Sequence, residues 1–148
     1  MASDLDKNLE KLKQACDKAY MAYPRSCSHA VWHVISQYEP SHPYMQANQL
    51  INHLIASPKW QLVELYELSK LASQGTLVVG GRKETPGNGH VIVVYPGPEK
   101  LSGGYYFKRS DGRTVKAVSD GSYARALSTT MGNWPGARSC GDKTVRDP

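Results

Sequence analysis

Two short segments hold residue types that can do covalent chemistry. The first is Ser26-Cys27-Ser28-His29-Ala30-Val31-Trp32, which reads as a cysteine opening a helix. The second is Gly89-His90-Val91-Ile92-Val93-Val94, which reads as a histidine opening a buried strand. A thiol with a pKa near about 8.5 is mostly protonated at neutral pH, and the protonated form is a poor nucleophile. The unpaired N–H groups of a helix N-terminus, together with a nearby imidazole, can lower that value, so a reactive Cys27 is expected to alkylate below pH 8. The same N–H groups form a ready oxyanion hole. Gly89 has no Cβ and permits close approach beside His90. The alternative is a buried structural Cys27 and a surface His90.

These residues need elements to position them. Apolar residues at Leu5, Leu9, Leu12, Cys16, Ala19, Tyr20 and Tyr23 fall at the spacing of one helical face, with Ser3 as its cap. Pro24-Arg25 ends that helix, and the Cys27 helix follows until Pro40 stops it. A third helix is expected over 45–55. A fourth is expected from Ser57-Pro58 through Leu71, ended by Gly75. The period then changes to 2, predicting strands at 76–79 and 90–95. Segments 105–108 and 114–118 flank Asp111-Gly112, a hairpin signal. Gly80-Gly81 and 85–89 read as loop beside the cysteine, and the tail around Trp134 reads as irregular. Helices first and an antiparallel sheet second describe an α+β domain.

With 148 residues the chain suits a single domain over 1–148. No stretch is apolar enough to span a bilayer, and the N-terminus lacks a secretory h-region. Lys+Arg against Asp+Glu is 7 to 7 over residues 1–74 and 11 to 6 over 75–148, so the net charge of +5 comes from the second half. That excess suits an anionic partner or a plain solvated face. No basic run interleaves with aromatics, which argues against nucleic acid. Of the three cysteines, Cys27 reads as the free thiol. Cys16 and Cys140 could form a disulfide worth roughly 2–4 kcal/mol, or Cys16 could be a small buried hydrophobe and Cys140 a loop thiol. His29 and His33 have the i, i+4 spacing of metal ligands, but no Glu follows His29, and no metal is expected.

The run Gln74-Gly75-Thr76-Leu77-Val78-Val79, followed by Gly89-His90-Val91-Ile92-Val93-Val94-Tyr95-Pro96-Gly97-Pro98, resembles the type VI secretion amidase effectors. These are small peptidoglycan hydrolases injected into the periplasm of rival bacteria, and they share the papain-like core of NlpC-type and CHAP-type amidases. The resemblance covers the chain in order. It departs at Cys27-Ser28-His29-Ala30-Val31, where the family often has Cys-Ser-Gly-Phe-Val.

The resemblance implies a papain-like fold, with N-terminal helices packed on a C-terminal antiparallel sheet. It also implies a cysteine amidase without cofactor. Cys27 would be the nucleophile and His90 the base. A polar residue on the strand after the histidine would orient the ring. The candidates are Asp120, Ser119 and Asp111; Asp111 is better explained by its Asp-Gly turn, and Asp120 is the choice, although Asp120-Gly121 also reads as a turn. Ser26, Ser28 and Gly89, which flank the pair, and Trp134 are the expected substrate contacts. The partners implied are a peptidoglycan peptide and a cognate immunity protein, with neither nucleic acid nor membrane insertion, and a monomer is expected. The protein would be made in the cytoplasm without a signal peptide, secreted, and active in the target's periplasm. The departure at Cys27 favours the D-Ala–diaminopimelate cross-link over the D-Glu–diaminopimelate stem bond. The other readings are a phage or housekeeping CHAP-type wall hydrolase and a non-catalytic basic binding module.

Overall fold

Ser3 starts the first helix, α1 (Asp4–Ala22). Its hydroxyl accepts the Asp6 N–H at 3.1 Å, and the Asp6 carboxylate accepts the Ser3 N–H at 3.4 Å. This reciprocal box satisfies two donors that a helix start leaves orphaned. The computed structural model describes residues 3–83, 89–101, 106–108, 112–116, 122–128, 135 and 138–139. Leu12, Ala15, Cys16 and Ala19 form the buried stripe of α1. Cys16 carries a free thiol with no exposed surface, so it is the small buried hydrophobe rather than half of a cross-link. Burial pushes that thiol far up from its ordinary value. Cys140 lies outside the described residues.

Helix α2 (Cys27–Ser36) buries Ala30, Val31, Val34 and Ile35, and α3 (Ala47–Ala56) buries Leu50. The fourth helix differs from expectation. Only Leu68–Ser73 is α-helical (α4), after a 3-10 turn at Leu65–Glu67. The Ser57-Pro58 signal makes a turn instead, where the Ser57 hydroxyl accepts the Lys59 N–H at 3.2 Å. Trp60 and Val63 then reach the core from non-helical chain, while Leu62 is 92% exposed.

Gly75 ends α4 as expected. Its N–H bonds to Ala72 O and the Thr76 N–H to Leu71 O, which is a Schellman closure. Thr76 therefore belongs to the helix cap, and the first strand, β1 (Val79–Arg82), begins three residues later than predicted. Gly80 and Gly81 lie within it and are not loop. Strand β2 (His90–Leu101) runs past Pro96, beyond the expected end at 95. A register shift between Tyr95 and Lys100 absorbs the prolines. The predicted hairpin is present as β3 (Tyr106–Lys108) against β4 (Thr114–Lys116). Two strands in the tail were not expected, β5 (Ser122–Leu127) and β6 (Arg138–Ser139).

The main sheet is antiparallel, in the order β1-β2-β5-β6, and the β3–β4 ribbon is separate. The architecture is α+β. Alternation along β2 divides its surroundings. On the side of Val91, Val93 and Tyr95, the Tyr95 hydroxyl donates to Asp17 of α1 at 3.4 Å, and Gly81 abuts Ile51 of α3. On the side of His90, Ile92 and Val94, a cleft shared with Leu68 and Leu71 of α4 opens.

Gly75 has φ +81°, and a Cβ there would collide with the backbone of Asn8 and Leu9 in α1. Gly75→Ala combines a left-handed backbone with a backbone clash and should lower stability by at least about 2 kcal/mol, read from urea unfolding midpoints. A change below about 0.5 kcal/mol would show that α1 does not seat on the α4 cap.

Candidate active site

The site is built at the start of β2. Gly89 has φ +70°, and a Cβ there would meet the Asn48 amide oxygen and lie 2.9 Å from the Arg82 carbonyl. Glycine is thus required by both backbone and space, and its absent side chain lets α3 and β1 grip the residue before His90. His90 opens β2 opposite Arg82. It is 8% exposed, and its Nε2 shares a 3.0 Å hydrogen bond with the Ser128 hydroxyl. Ser128 is 3% exposed and follows the last residue of β5. Since Val93 stands opposite Leu127, Ser128 falls opposite Ile92 and projects from the same side of the sheet as His90.

Cys27 is the first residue of α2, and Ser26 is its cap. The backbone N–H groups of Val91, then Ser28 and Cys27, lie near enough to the thiol to favour its charged form. The Val91 amide belongs to the residue after His90, so the sulfur lies against the second residue of the strand that the histidine opens. These donors pull the thiol pKa down, but burial pushes it up by more, and the net shift is upward. The expected low-pKa thiol is therefore corrected: Cys27 rests as a neutral thiol because desolvation outweighs the helix terminus.

The Ser26 hydroxyl accepts the His29 N–H at 3.3 Å and lies 2.7 Å from His29 Nδ1. The Ser28 hydroxyl pairs with the Tyr44 hydroxyl at 2.7 Å. Both predicted substrate hydroxyls are thus engaged within the protein. His29 is stacked between Tyr23 and Tyr44 at centroid distances of 5.1 and 4.0 Å, and His33 meets the Tyr23 ring edge-on at 5.9 Å. These rings brace the turn before α2 and share no ligand geometry. Among the described residues no group of three His, Cys, Asp or Glu side chains could hold a metal ion. No described helix is long and apolar enough to cross a membrane. Asp120, Ser119 and Trp134 lie outside the described residues.

Sequence reading missed Ser128. The available signal was the small-residue alternation Ala124, Ala126, Ser128, all three of which are buried. Alanine is a poor strand former, so no strand was read there. His90 also lines the cleft on the α4 side, about 850 Å³ in volume, together with Arg82, Gly80, Ile92 and Trp60. No protein-family model matches the chain, and no curated protein matches it in sequence.

Thiolate, not thiol, reacts with iodoacetamide, and a raised pKa means less thiolate at pH 7. Labelling of Cys27 should therefore climb with pH through and above its ordinary value of 9.0 and precede labelling of the fully enclosed Cys16. Peptide mass spectrometry across pH 6–10.5 reads this. A Cys27 rate already level at pH 7 would refute the neutral resting thiol.

Proposed function

We propose that this protein is a cysteine amidase that hydrolyses peptide bonds of Gram-negative peptidoglycan. The observation that carries the chemistry is the thiol of Cys27 seated on the Val91 amide, one residue from a histidine whose Nε2 is held by Ser128. The resemblance of the His90 strand to the type VI amidase effectors supplies the substrate class. It also supplies the papain-like reading of the fold and a role as an antibacterial effector restrained by an immunity protein. The α+β order, with the cysteine on an N-terminal helix and the histidine on the sheet, is compatible with it.

In this reading Ser128 accepts from Nε2–H, the tautomer in which Nδ1 is the nitrogen that takes the thiol proton. Because the thiol is neutral at rest, that transfer accompanies attack of Sγ on the scissile carbonyl carbon. The N–H groups of Cys27 and Ser28, in the first turn of α2, stabilise the oxyanion as the C–S bond forms. The imidazolium gives its proton to the leaving amine when the C–N bond breaks. His90 then deprotonates a water that attacks the thioester, and the thiol leaves protonated. Amide and water become acid and amine, with the enzyme restored.

Muropeptides purified from a Gram-negative sacculus should be cut by the wild-type protein, and mass spectrometry of the fragments identifies the bond. Cys27→Ala should lose at least about 1,000-fold in rate. Unchanged muropeptides with the wild type would sink the amidase reading and leave Cys27 as a structural thiol.

Ser128→Ala should keep substrate affinity and lower kcat by about 3- to 10-fold, the rate equivalent of one neutral hydrogen bond. A change in KM alone would mean that Ser128 contacts substrate instead of positioning His90.

A further inference from the structure

Arg82 is the cross-strand partner of His90, and such partners project from one face with Cβ atoms about 4.5–5.5 Å apart. Both residues line the 850 Å³ cleft on the α4 side. Arg82 is exposed, and no hydrogen bond or ion pair engages its side chain among the described residues. Its neighbour Lys83 alternates to the other face and is committed there, donating to Asn52 of α3 at 2.9 Å. Two carboxylates line the same cleft, Glu39 and Glu67, and Glu67 is already held by the Glu64 N–H at 3.1 Å. The strand thus presents one uncommitted guanidinium beside the histidine, in a cleft of peptide size.

We propose that Arg82 is a specificity-determining residue that binds a free carboxylate next to the scissile amide. The assignment rests on the amidase reading for its substrate. It holds for either candidate bond. A γ-linked D-Glu keeps its α-carboxylate on the acyl side. The diaminopimelate carbon that bears the cross-linking nitrogen keeps a carboxylate on the amine side. Arginine's planar fork can take both oxygens of such a group, which fixes where the amide lies relative to His90. Converting the carboxylate to an amide removes the charge and one acceptor.

The test measures binding and cleavage separately. Cross-linked muropeptide dimers, and the same dimers with their D-Glu or diaminopimelate carboxylates amidated, are titrated calorimetrically into Cys27→Ala and Cys27→Ala/Arg82→Gln. Amidation should weaken binding to Cys27→Ala about 10-fold and leave binding to the double variant unchanged. Arg82→Lys should restore part of the preference, and melting temperatures should match because the side chain is exposed. An equal loss in both proteins, or no loss in either, overturns the assignment. Cleavage by wild type without any carboxylate preference sinks Arg82 alone. A carboxylate preference that vanishes with Arg82→Gln but comes without cleavage sinks the amidase and keeps the anchor. Neither binding nor cleavage sinks both.

Discussion

Strand β2 is enclosed from both sides over its first half, and everything else in the site is measured from it. Val91 and Val93 are buried against α1, α2 and α3, and Val94 is buried on the opposite face, where α4 packs. Such a strand reads as a nearly unbroken apolar run, because both faces are packed and only the α4 side opens to a cleft. That has a cost in specificity. With both faces apolar, a one-residue slip of register would not be penalised by hydrophobicity alone. The penalty comes instead from close contacts at glycine. A Cβ on Gly81 would sit 2.5 Å from Ile51, and Gly89 fits only under Asn48 and the Arg82 carbonyl. Those two contacts hold β1 and β2 at the pairing that sets Arg82 opposite His90 and delivers the Val91 amide to Cys27.

What the sequence made legible follows the range of each signal. Two helix starts were readable from signals a few residues long: Ser3 caps α1 by pairing with Asp6, and Cys27 opens α2 just after the Pro24-Arg25 break. The end of α4 was readable from Gly75, but the start of β1 was not, since Thr76 looks like a strand residue and is used as a cap. The false helix over 58–67 arose from a Ser-Pro signal that makes only a turn. Cys27 and His90 were legible because each opens an element. Ser128 was not: it lies 38 residues from His90, on a strand of small residues, and only the fold brings them together. A single hydrogen bond across a sheet leaves no local pattern in the sequence.

The balance at Cys27 ties the fold to the proposed chemistry. Three amides stabilise negative charge on the sulfur, and burial opposes it more strongly. A site of that kind does not store a thiolate. It offers charge stabilisation that is realised only when charge develops, which is the condition for favouring a transition state over a ground state. Ser128 fits the same design. A hydroxyl at Nε2 holds the imidazole ring in place, yet it stabilises an imidazolium less than a carboxylate there would. Under the proposed chemistry the sulfur thus rests neutral, and the proton moves only when a carbonyl is present to receive the sulfur. Desolvation, which weakens the nucleophile at rest, is then what strengthens the amide donors during attack, since hydrogen bonds to an anion gain as water is excluded.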